Sequence, residues 1–197
     1  MRQLYILLMT LTVLAAPHGI AYTQVAKTNF KGTIANPQRD YFLLRHMGRT
    51  DTVKLATDGT FDLLIEQAAA NYFTVDYNRQ SISLYLLPAD EVTIAASGVN
   101  ITEATITGSS APYCNHLLQR IREDRAFMAT YPAPKLNTID AETFYSMRDS
   151  VRESRLQSLS KNSKNTSFIT PFIEAETTIY NYQMGLDLIN YKSQRAK

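Results

Sequence analysis

From Thr28 to Thr107 apolar and polar residues alternate in short runs, the period-two pattern of strands that bury one face and wet the other. Eight strands follow: Thr28 to Ala35, Tyr41 to Met47, Thr52 to Ala56, Thr60 to Glu66, Tyr72 to Asn78, Ser81 to Leu87, Glu91 to Ala96 and Ala104 to Gly108. Phe61, Leu63 and Ile65 fall on one side of their strand, with Asp62 and Glu66 on the other. Ile82, Leu84 and Leu86 repeat this against Ser81, Ser83 and Tyr85. Asn36-Pro37, Asp58-Gly59, Asn78-Arg79 and Pro88-Ala89-Asp90 supply turn chemistry between them. Short strands at this spacing predict an antiparallel β-sandwich or partly closed barrel.

After Gly108-Ser109-Ser110 the period lengthens to that of a helix, which predicts an α+β fold: a β-rich domain over 22–108 and a segment of about three helices over 109–197. The first helix spans Ala111 to Thr130, with Ser110 as N-cap, Pro112 in its first turn, and Tyr113, Leu117, Ile121 and Met128 on one face. Tyr131-Pro132-Ala133-Pro134 ends it. The second spans Ala141 to Ser160, capped by Asp140. Phe144, Met147, Val151 and Leu159 turn inward, and Arg148, Asp149, Arg152, Glu153 and Arg155 form a solvated face. In the third, Ser167 to Tyr191, a heptad seam of Phe168, Phe172, Ala175, Ile179, Tyr182, Leu186 and Ile189 is expected to pack on the other helices. Ile173, Tyr180, Met184, Leu188 and Tyr191 make a second stripe on nearly the opposite side, the candidate interface. Either the β domain covers that stripe, or another domain or subunit does.

The first residues change the picture. Met1-Arg2, the apolar run Leu4 to Ala16 and the small residues Gly19-Ile20-Ala21 have the order of a cleavable secretory signal, with cleavage expected after Ala21. The apolar run is too short for a membrane span, and Pro17, His18 and Gly19 interrupt it. The expected location is therefore periplasmic or otherwise exported, with no membrane span after cleavage.

Composition narrows the chemistry. Lys and Arg number 20 against 18 Asp and Glu, with no cluster along the chain, which argues against a nucleic-acid partner. The single Cys, Cys114, has no partner for an internal disulfide. At a helix start it reads either as a free thiol activated by the helix dipole or as a small buried hydrophobe. His46 and His116 stand far apart, with no ligand pair at metal spacing, and no phosphate loop, nucleophile elbow or Cys-x-x-Cys is present. These readings assign no catalytic, cofactor-binding or metal residue. Tyr41, Tyr72 and Tyr85 leave open a glycan- or peptide-binding platform on the strands.

Phe30-Lys31-Gly32-Thr33-Ile34, Asp51-Thr52-Val53, Asp58-Gly59-Thr60-Phe61, Leu84-Tyr85-Leu86-Leu87-Pro88-Ala89-Asp90 and Ile106-Thr107-Gly108-Ser109 recur in that order. The series resembles the N-terminal β domain of unknown function in TlpA/ResA-like thiol-disulfide oxidoreductases exported by Bacteroidetes. Asn165-Thr166-Ser167-Phe168 and the aromatic helix after it look like the helical linker of those proteins. The resemblance implies a thioredoxin-like domain carrying Trp-Cys-x-x-Cys. With no Trp and one Cys, that motif maps onto no position here. The chain is expected to be an exported, non-catalytic accessory or interaction module. Its partner would be another protein, the missing thioredoxin-like domain or a second copy. The alternative is a fragment of such an oxidoreductase with its redox domain lost or encoded downstream. The usual Pro-Gly-Asp of the family is Pro88-Ala89-Asp90, so a rearranged turn is expected there.

Overall fold

The alternation becomes eight strands: β1 (Ala26–Ala35), β2 (Tyr41–His46), β3 (Arg49–Lys54), β4 (Thr60–Gln67), β5 (Asn71–Tyr77), β6 (Gln80–Leu86), β7 (Glu91–Ser97) and β8 (Thr105–Thr107). The computed structural model describes residues 25–195 apart from Asn137 and Ser167, so the expected signal lies outside the described residues. The strands form two four-stranded sheets, ordered β4-β1-β7-β8 and β3-β2-β5-β6, which face one another as a sandwich and do not close into a barrel. Between them Phe30, Phe42 and Phe61 meet edge to face, with ring centroids 6.4, 5.1 and 4.9 Å apart.

Two expectations about the sheets change. β3 begins earlier than the pattern places it, because Met47 and Gly48, at φ 44° and 74°, close a two-residue hairpin that sets His46 opposite Arg49. Arg49-Thr50-Asp51 hides this start, since an edge strand is polar on both faces. Second, β1 pairs antiparallel with β4 but parallel with β7. β7 arrives from the opposite sheet, so no tight turn dictates its direction. The pair is close: a Cβ on Gly32 would lie 2.1 Å from the carbonyl oxygen of Ile94, a contact only glycine avoids.

The helices are α1 (Ala111–Thr130), a single-turn α2 (Ala133–Leu136), α3 (Ala141–Thr166) and α4 (Thr170–Arg195). α3 runs past Ser160, where the pattern fades, to Thr166. Asp140 caps it as expected, its carboxylate accepting from the N–H of Thr143 at 2.9 Å and from the Thr143 hydroxyl at 2.7 Å. Ser110 does not cap α1. Its hydroxyl instead accepts from the N–H of Leu87 and donates to Asp90. Asp90 also accepts from the backbone N–H groups of Glu91, Ser109 and Ser110, tying the start of β7 to the start of α1. In the turn before it Ala89 itself takes the left-handed conformation, at φ 58°.

Gly108 separates strand from helix, yet packing continues across it. Cys114 and Leu118 on one side of α1 complete the sandwich core, while Tyr113 and Leu117 on its other side enter a second core shared with α3 and α4.

Candidate functional site

The second core is aromatic. Tyr72 and Tyr85 point away from the sandwich, and Tyr85 lies 4.8 Å from Phe172 and 5.5 Å from Tyr113, ring to ring. Phe168 stacks on Tyr113 at 4.9 Å. This joint covers Tyr85 and half-buries Tyr72, which removes both from the exposed platform expected of them; Tyr41 remains 42% exposed.

Polar groups thread the same joint. Glu176 of α4 is wholly buried, its carboxylate accepting from the Tyr72 hydroxyl at 2.9 Å and from the guanidinium of Arg120 at 2.6 Å. Burial, then the charge of Glu176, raises the Tyr72 hydroxyl far above its ordinary range, and the same two causes raise that of Tyr180. His116 lies between α1, α3 and α4, with Nε2 2.8 Å from the Tyr180 hydroxyl and Nδ1 3.2 Å from the side-chain amide of Asn162. Burial lowers its pKa. The ring is therefore neutral at pH 7 and serves as a bridge.

Beyond Tyr180 the three long helices diverge around a cleft of about 490 Å³. Phe127, Phe144, Ile179, Tyr180 and Tyr191 give it apolar walls, and Arg120, Arg148 and Arg155 stand among them. Each guanidinium faces a carboxylate: Arg120 pairs with Glu176, Arg148 with Asp187, and Arg155 with Asp124. Arg148 also lies over the ring of Phe127 at 4.8 Å. Arg148 and Arg155 therefore turn inward, where the sequence places them on a solvated face. The charges of α3 are spread around its circumference, so its partners on α1 and α4 select the inward side.

The candidate interface on α4 is corrected in the same way. Tyr180 and Tyr191 are buried within the chain, the first beside His116 and the second stacked on Phe144 at 4.3 Å. Ile173 packs against the aromatic joint, and Met184 and Leu188 are half-buried. The chain's own helices, more than the β domain, cover this stripe. The seam expected to be inward divides along its length. Phe168 and Phe172 are buried, Ile179 lies at the cleft rim at 39% exposed, and Tyr182 and Ile189 are 67% and 64% exposed.

Cys114 is fully buried, its thiol 3.5 Å from the carbonyl oxygen of Tyr85, and burial pushes its pKa up to about 12. The buried-hydrophobe reading fits these facts and the activated-thiol reading does not. Cys114 faces the sandwich core and His116 faces the helices, so the two are not brought together. His46 stacks on Phe73 at 4.9 Å. Among the described residues no group of three or more His, Cys, Asp or Glu could hold a metal ion, and no helix is long and apolar enough to cross a membrane. Sequence reasoning missed Arg120, Arg148 and Arg155 as site residues; the signal available was Glu176, a carboxylate between two apolar stripes, which demands a cation nearby. Comparison with known proteins finds no matching family model, no matching curated protein and no matching solved structure.

Proposed function

We propose that the chain is an exported, non-catalytic interaction module whose helical end is covered by a protein partner. The observation that carries this reading is the exposed run of Ile179, Tyr182 and Ile189 at heptad spacing beside the cleft. Apolar side chains at that spacing fit the apolar stripe of another helix. The cleft has little net charge to offer, because its arginines are paired with carboxylates. A partner that fits is therefore an apolar helix, not a polyanion. The buried, poorly ionised thiol of Cys114 supports a role without thiol chemistry. The resemblance to the leading domain of exported oxidoreductases supports a setting in the cell envelope.

Photo-crosslinking in the native host tests this. A photoreactive residue at Tyr182 or Ile189 is expected to trap one defined protein, and the same residue at exposed Leu64 on the far sheet is not. Equal capture from all three positions, or none, overturns the proposed surface. Steady reduction of insulin disulfides by the purified chain overturns the non-catalytic reading.

A further inference from the structure

We infer that the bare end of the second sheet's outer face binds a single carboxylate-bearing sugar ring, a hexuronate unit. The helices cover this face at Tyr72 and Tyr85. At its other end Arg39, Tyr41, Leu43, Asp76 and Arg79 surround a hollow of about 260 Å³, the size of one ring and not of a chain.

Cations outnumber carboxylates at the hollow, Arg39 and Arg79 standing against Asp76, with Lys54 close by on β3. Among the described residues, Arg39, Lys54 and Arg79 make no ion pair with a carboxylate. Lys54 sits directly across from Tyr41 in the β2–β3 register. Asp76, the carboxylate at the hollow, is already engaged by Arg45 at 2.8 Å and by the hydroxyl of Ser81. These cations come from separate loops and strands, so no basic cluster shows along the sequence.

The rim is held in place. Tyr77 is buried, and its hydroxyl accepts from the backbone N–H groups of Gln38 at 2.5 Å and Arg39 at 3.0 Å, which fixes the backbone that carries the Arg39 guanidinium. Arg79 occupies the second position of the β5–β6 turn at φ 62°, after Asn78 at 45°. Glycine takes that position most easily, so Arg79 carries backbone strain that no ion pair among the described residues offsets.

The chemistry selects the ligand. A guanidinium fork takes a carboxylate in its plane, and the exposed face of Tyr41 offers a platform for the C–H face of a sugar ring. An extended peptide fits less well. The β2–β5 ladder ends at Leu43 opposite Asp76, so the hollow lies where the two strands part, and its volume takes one ring more readily than a length of chain.

The test is an NMR titration of the protein at low salt with sodium glucuronate, glucose, sodium sulfate and a short glutamate peptide. Saturable shifts at Tyr41 and Arg79 are expected with glucuronate and not with glucose. Arg39→Ala and Arg79→Gly should each weaken binding by about tenfold or more. Arg79→Gly should also raise Tm, because it relieves the turn, so lost binding there is not lost folding. No saturation with glucuronate overturns the inference. So does sulfate or the glutamate peptide binding as well as glucuronate, or full binding by Arg79→Gly.

Discussion

His116 shows how one residue makes the joint depend on pH. Its ring is held neutral between the amide of Asn162, which donates to Nδ1, and the hydroxyl of Tyr180 at Nε2, with Phe168 and Phe172 edge-on to it. Burial depresses its pKa below the ordinary 6.5, so below that pH the unfolded chain binds a proton that the folded chain resists. The contribution of His116 to stability is therefore constant above pH 6.5. It falls with acid by up to about 1.4 kcal/mol per pH unit until the folded pKa is reached. Urea melts at pH 7.5, 6.5 and 5.5 should show this slope, and His116→Gln should flatten it. Nearby carboxylates also titrate in acid, so the diagnostic quantity is the difference between the two proteins. Cys114 and Ser110 carry a related lesson. Each was legible as the opening of α1, but their roles, core filler and bridge to Asp90, depend on β6 and β7 lying beneath them.

At the scale of elements, α4 separates what periodicity reveals from what it leaves open. The sequence carries two apolar stripes on this helix, and the heptad spacing that marks one of them as the inward seam does not decide which is buried. Phe172 and Tyr180 are inward because Tyr85 and His116 are waiting there, and both of those belong to segments distant in sequence. Tyr180→Ala should cost about 3–5 kcal/mol, as large aromatic truncations in cores do. Ile189→Lys should stay within about 0.5 kcal/mol of wild type, as exposed substitutions do. Denaturant midpoints of the two variants check both; a loss from Ile189→Lys as large as that from Tyr180→Ala would overturn the assignment of the stripes. The strands were more legible than the helices, because a one-residue slip in a half-buried strand puts its whole apolar set into water. Phe61 and Ile65, or Ile82 and Leu84, admit only one inward side. On α3 the apolar face of Phe144, Met147, Val151 and Leu159 is sparse and leaves room for polar side chains between its members, so the inward turn of Arg148 and Arg155, and with it the cleft, could not be read from the sequence.

For the whole molecule, α1 is the piece that prevents division at Gly108. Leu118 and Cys114 belong to the sandwich core and Leu117 and Tyr113 to the helical one, on two sides of the same helix. Heat or denaturant should therefore unfold the chain in one transition, with far-UV circular dichroism and tyrosine fluorescence coincident. A fragment of residues 25–108 should lack that transition and expose the β6 face bearing Tyr85. Two separated transitions, or a stably folded fragment, would mean that the β half is independent. The parallel pairing of β1 with β7 has a consequence for the timing of folding. β1 occupies an inner position in its sheet, yet neither neighbour is close in sequence: β4 follows after two intervening strands, and β7 only at Glu91–Ser97. On the ribosome β1 stays paired on one side only until β7 has been made, and such long-range closure is slow. The newborn chain therefore stays open for longer than a protein built from neighbouring hairpins, and for that time its unpaired strand edges are within reach of a chaperone.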